Sequence, residues 1–216
     1  MTPRDRAGNV GKARTVAVRL LRVATVPRRD RAAISVRDGD RLATRVRLRT
    51  TIAAPVTVRW VIRRDGRTVA TLFKGKARPG TLTVRWNGRD RAGRLVEDGA
   101  YTAVLVATSA AGTVRRTTPV WVGAFRTRLT QADRATGRRA VVHVTSTEPL
   151  ARTPVVELRR KGMDPVRVRT KAADAGRSWA RVPASMTATK GRLSIRVIGT
   201  DRGGQTEQSA TSVRIR

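Results

Sequence analysis

Cysteine is absent from this 216-residue chain, and histidine occurs once. The first absence excludes disulfides, Cys-ligated zinc, thiol nucleophiles and iron–sulfur clusters; the second excludes multi-histidine metal sites. Aromatic residues make up only 3% of the chain, too few for a platform that stacks bases or sugars. Acidic side chains are scarce, 15 against 47 Lys and Arg, for a formal net charge of +32. No run approaches the roughly 18 apolar residues of a membrane-spanning helix. No segment carries a capped apolar stripe of helical period.

What is abundant is arginine. The lysines are few: Lys12, Lys74, Lys76, Lys161, Lys171 and Lys190. GC-rich codon usage accounts for a surplus of arginine but not for a shortage of acids, so the charge is a physical property of the protein. It attracts polyanions: nucleic acid, an anionic cell-wall polymer or an anionic membrane surface. Arg45, Arg47 and Arg49 alternate with Val46 and Leu48, Arg167 and Arg169 with Val166 and Val168, and Arg214 and Arg216 with Val213 and Ile215. Period-two alternation describes a half-buried strand, which puts these arginines on solvent faces. Arg45, Arg47, Arg49, Arg167 and Arg169 are the candidate polyanion contacts; a solvated coat accounts for the same pattern.

Short apolar runs at 56–62, 81–86, 101–107, 141–145, 154–158 and 193–198 are separated by Gly, Asp and Pro clusters. Such spacing predicts an all-β sandwich or barrel. Val58, Trp60 and Ile62 share one face of a strand, as do Leu82, Val84 and Trp86, so both tryptophans are expected in a core. Asp65-Gly66, Asn87-Gly88 and Asp98-Gly99 read as tight hairpin turns, and Pro79-Gly80 opens the strand leading to Trp86.

One pattern occurs three times. Asp5-Arg6-Ala7-Gly8-Asn9, Ser109-Ala110-Ala111-Gly112-Thr113 and Asp201-Arg202-Gly203-Gly204-Gln205 each precede an apolar strand. Each reads as the last hairpin of a domain, and the spacing of about 100 residues is one immunoglobulin-like domain. The first copy has no domain before it. Residues 1–22 are therefore expected to be the closing hairpin of a truncated upstream domain. A secretory signal fits less well, because Arg19 and Arg22 interrupt the apolar core it would need.

From about Ile34 to Val122 the sequence resembles the immunoglobulin-like domain at the C-terminus of the flagellar hook-capping protein FlgD, a module also common in secreted bacterial proteins. The resemblance rests on Pro55-Val56-Thr57-Val58, on the 65–72 hairpin, on 79–93 with Trp86-Asn87-Gly88-Arg89-Asp90 and Gly93, and on Asp98-Gly99-Ala100-Tyr101. Trp86, Gly88, Asp90, Gly93, Gly99 and Tyr101 form its fold signature. The family's Trp-Asp-Gly is Trp86-Asn87-Gly88 here, and Ser35-Val36-Arg37-Asp38-Gly39-Asp40 replaces its usual opening segment. Nothing matches the hook-capping protein's own N-terminal region, so a generic module is implied, not a flagellar part. The second half looks like another bacterial immunoglobulin-like repeat.

Chemistry finds little to stand on. His143 is expected to point outward, and no Gly-x-Ser-x-Gly elbow accompanies it. Glu97 and Asp98, or Glu148 and Glu157, make poor glycosidase pairs. Calcium at Asp38 with Asp40, or at Asp90 with Asp98, competes with the simpler reading of these residues as turn formers. No groove-entering helix or aromatic platform supports specific nucleic-acid recognition.

The expectation is two tandem immunoglobulin-like β-sandwiches preceded by a remnant hairpin. Residues 1–22 are the hairpin, 23–33 a basic linker, 34–123 the FlgD-type domain and 124–216 the second sandwich. The expected role is a monomeric, non-catalytic spacer within a larger exported or cell-surface bacterial protein, with no metal or cofactor. Its partners would be the other domains of that protein. The alternative is a module binding an anionic cell-wall polymer, or nucleic acid non-specifically.

Overall fold

The computed structural model describes residues 7, 23–37, 39, 42–131, 139–174 and 176–215. The terminal hairpin expected at 1–22 lies, apart from Ala7, outside the described residues, as do Asp38 and Asp40. Among the described residues there is no α-helix, and no helix long and apolar enough to cross a membrane.

The first half holds β1 (Arg28–Arg29), β2 (Ala33–Ile34), β3 (Val46–Ile52), β4 (Val56–Arg64), β5 (Arg67–Ala77), β6 (Gly80–Trp86), β7 (Gly99–Ser109) and β8 (Gly112–Val122). They form a three-stranded sheet in the order β1-β3-β6 and a five-stranded sheet in the order β2-β8-β7-β4-β5. Strict alternation drives the burial. In β3, Val46, Leu48, Thr50 and Ile52 are buried while Arg49 and Thr51 are exposed. Trp60 and Trp86 lie in one cluster with Ile34, Val58, Ile62, Tyr101 and Leu105, as their strand faces predicted. Each large side chain so buried contributes about 1.5–3 kcal/mol.

The second half holds β9 (Phe125–Thr130), β10 (Val141–Ser146), β11 (Val155–Arg160), β12 (Met163–Arg169), β13 (Lys171–Ala172), β14 (Arg177–Arg181), β15 (Gly191–Thr200) and β16 (Thr206–Ile215), with a 3-10 turn at Ala184–Met186. Its sheets run β13-β14-β10-β9 and β12-β11-β15-β16. A separate cluster fills it, including Phe125, Val142, Val144, Leu158, Leu193, Ile195 and Val197.

The segment expected to be a linker is instead part of the first sandwich. Val23 and Ala24 are buried in its core, Ala24 bridges to Ile52, and β1 pairs with β3. The Pro27 carbonyl accepts from the Thr118 hydroxyl at 2.9 Å, and after β1 the chain crosses to the other sheet, where β2 runs parallel to β8. The arginines of 23–33 suggest a solvated tether, and Arg28, Arg29 and Arg31 are indeed exposed, but Val23, Ala24 and Pro27 before them are buried.

Two of the three expected hairpin turns also differ. Asp65-Gly66 does join β4 to β5, with φ of +47° and +77°. Asn87-Gly88 and Asp98-Gly99, however, lie at the two ends of one long crossover from β6 to β7, which are in different sheets. Dipeptide chemistry specifies the local backbone angle; it does not specify which strands the turn connects.

Candidate functional site

The six signature residues organise that crossover. The Trp86 indole N–H donates to the Arg89 carbonyl at 2.9 Å. Gly88 has φ +69°, and a Cβ there would sit 2.8 Å from Val36 Cγ1, so the chain needs glycine. The Asp90 carboxylate accepts the backbone N–H groups of Ala92 and Arg94, both at 2.9 Å, and pairs with the Arg94 guanidinium at 3.1 Å. These bonds, the Arg94 N–H foremost, hold its pKa below the usual carboxylate value. Gly93, at φ +78°, closes this turn, and Gly99 opens β7. The Tyr101 hydroxyl donates to the Glu97 carbonyl at 2.7 Å and accepts from Arg64 Nη1 at 2.9 Å. Burial pushes the Tyr101 phenol up. This is the geometry of a tyrosine corner, a device that ties a sandwich strand to the loop before it. Every one of the six contacts serves the fold.

The candidate arginines fall into two situations. Arg45, Arg47 and Arg49 stand on the outer face of the three-stranded sheet. Register places Arg85 opposite Arg47 and Arg28 opposite Arg49, which adds two arginines to the same face. Among the described residues Arg45, Arg47 and Arg49 enter no ion pair, and the nearby Asp30 carboxylate is taken by the Arg47 backbone N–H at 2.8 Å. Like charges directly opposite one another repel, so this face carries uncompensated positive potential. Arg167 differs. It donates to Glu157 at 3.0 Å, and Arg159 does so at 2.7 Å. Glu157 is 1% exposed, and the hydrogen bonds from Arg159 and then Arg167 hold its carboxyl below the usual range. Arg169 is exposed two residues further along β12, opposite Val155. A further basic face surrounds Trp179, with Lys171 and Arg181 at 5.6 and 5.8 Å from its ring centroid.

His143 is exposed on β10, opposite Arg128 on one side and Trp179 on the other. Glu157 and Asp90 are engaged as described. Asp98, considered with Asp90 for calcium, instead lies 3.9 Å from Arg37 and accepts from the Ser209 hydroxyl at 3.4 Å. Burial pushes the Asp98 carboxyl up.

Asp98 stands at the meeting of the two halves. Val122 belongs to the first core and Ala124 to the second, with Gly123 between. The Gly123 N–H donates to the Ile34 carbonyl at 2.9 Å, while the Thr147 hydroxyl donates to the Gly123 carbonyl at 2.6 Å and the Thr147 N–H to the Ala124 carbonyl at 2.8 Å. A Cβ on Gly123, at φ +127°, would lie 2.8 Å from Asp98 Oδ2. A cleft of about 230 Å³ opens here, lined among others by Arg37, Asp98, Gly123 and Glu207.

One constellation escaped sequence reasoning. Glu148, Asp201 and Glu207 are all buried, and one carboxylate oxygen of each lies within 4.8 Å of the others. Glu148 lies far in sequence from the other two, which share one hairpin. The sequence alone pairs Glu148 with Glu157 and reads Asp201 as a turn residue. The usable signal was Asp201 beside the Gly203-Gly204 turn, whose closing hairpin brings Glu207 back alongside.

Residues 33–111 match the family model described as FlgD Ig-like domain. No curated protein matches the chain. Among solved structures, a Ca2+-stabilized adhesin that helps an Antarctic bacterium reach out and bind ice is 20% identical, covering 99% of this chain and 55% of that one, at a TM-score of 0.30. A tetra-tandem repeat from the extending region of a large adhesion protein is 21% identical with the same coverages and a TM-score of 0.33. The YadV chaperone is 10% identical, covering 88% of this chain and 100% of that one, at 0.32. The chain thus spans about half the length of the first two structures.

Proposed function

Starting from the match of residues 33–111 to the FlgD Ig-like domain, we propose that the chain is a non-catalytic spacer. It consists of two immunoglobulin-like sandwiches meeting near Gly123 and belongs to a larger exported or cell-surface bacterial protein. The observation that carries this reading is the junction. A single glycine separates the two cores, and its carbonyl and amide are both hydrogen-bonded, one to each half. A linkerless, bonded junction resists bending, which is what a spacer requires. The test is small-angle X-ray scattering of the chain: one elongated particle of fixed length supports the spacer, and a broad distribution of lengths opposes it.

A second reading has its own observation. Arg28, Arg45, Arg47, Arg49 and Arg85 share one sheet face without carboxylate partners among the described residues. That face suits an anionic cell-wall polymer, or nucleic acid without sequence preference. A salt titration of binding separates the two readings: affinity that survives physiological salt favours the binding face.

A further inference from the structure

We propose that Glu148, Asp201 and Glu207 form a divalent-cation site whose occupant is Ca2+. The inference is independent of the spacer reading.

The fold builds the cluster from two directions. In the β15–β16 hairpin, Gly199 pairs with Glu207 and Thr200 with Thr206, which sets Glu207 beside the turn that starts at Asp201. The segment after β10 is then stitched to the same turn. Leu150 bridges Asp201, the Ala151 N–H donates to the Thr200 carbonyl at 2.9 Å, and the Arg202 N–H donates to the Pro149 carbonyl at 3.2 Å. These backbone bonds deliver Glu148 to the other two. Asp201 is 1% exposed. Its Oδ1 accepts the Gln205 N–H at 2.8 Å, and its Oδ2 is buried with no hydrogen-bond partner among the described residues.

A buried carboxylate oxygen without a donor is costly, and two further carboxylates beside it add to the local negative charge. The same protein shows how it handles a buried acid elsewhere: Glu157 is clasped by Arg159 and Arg167. Around Asp201 the carboxylates of Glu148 and Glu207 converge, one oxygen of each residue within 4.8 Å of the others. A cation among them converts repulsion into coordination. The donors are all oxygen, which selects a hard ion over zinc or copper. Three carboxylates, each able to bind through one oxygen or two, fit the larger, flexible shell of Ca2+ better than the strict octahedron of Mg2+, which retains its waters.

The experiment is isothermal titration of the whole chain, stripped with EDTA, with CaCl2 and separately with MgCl2, alongside thermal melting. Saturable Ca2+ binding at one site is expected, with at least tenfold weaker Mg2+ binding. At about a hundredfold excess over Kd, Ca2+ should raise a melting transition by roughly 10 °C. Asp201→Asn keeps an acceptor for the Gln205 N–H and removes one charge; Glu148→Gln removes another. Each should abolish the Ca2+ response. Without Ca2+ the Asp201→Asn chain should melt at or above the wild-type temperature, because it keeps the Gln205 bond and loses one of the converging charges. No saturable Ca2+ binding to the wild-type chain, or an unchanged response in both variants, overturns the proposal. Equal affinity for Mg2+ overturns the assignment of the ion.

Discussion

The rings of Trp86 and Tyr101 meet with centroids 5.2 Å apart and planes inclined at 57°. One ends β6 in the three-stranded sheet and the other begins β7 in the five-stranded sheet, so this contact joins the two layers of the first sandwich. Both residues also tie down the crossover between them, Trp86 through Arg89 and Tyr101 through Glu97. Trp86→Ala should therefore cost about 3–5 kcal/mol through the cavity it leaves. Urea denaturation is the check; a loss under about 1 kcal/mol would mean the ring contact carries little.

Tyr101→Phe isolates the corner from the packing. The ring stays, while the bonds to Glu97 and Arg64 go. A loss of about 1–2 kcal/mol is expected from the same denaturation experiment.

Gly123→Ala probes the junction. The added methyl meets the Asp98 carboxylate, and φ +127° strains any L-residue. The two halves should keep their individual melting transitions while scattering reports a changed or broadened interdomain length. Unchanged scattering would show that Gly123 has no part in stiffness.

Glu157 supplies a pH dependence. Its folded pKa lies below the unfolded value of about 4.3. Its stabilisation is thus present above about pH 4.3 and lost as pH falls through the lower folded value. Glu157→Gln should destabilise the chain at pH 7 and flatten this acid limb, as read from urea midpoints between pH 2 and 6.

Replacing Arg45, Arg47 and Arg49 together tests the basic face. On duplex DNA the slope of log K against log salt should shallow by about 2 to 3 if all three contact phosphates. An unchanged slope would place binding on another face, such as that around Trp179.

The all-β class, the burial of Trp60 and Trp86, the outward His143 and the solvent-facing arginines were legible in the sequence. Each follows from period two along a single strand, which is local. The FlgD-type signature was legible for the same reason: its residues lie within 86–101 and shape one crossover. What only the tertiary structure decided is pairing across distance. It took Val23 and Ala24 from an apparent linker into the core, matched Arg167 to Glu157 while leaving Arg47 opposite Arg85, and gathered Glu148, Asp201 and Glu207 from positions up to 59 apart. Sheet register and hairpin stitching create these neighbours, and no one-dimensional period records them.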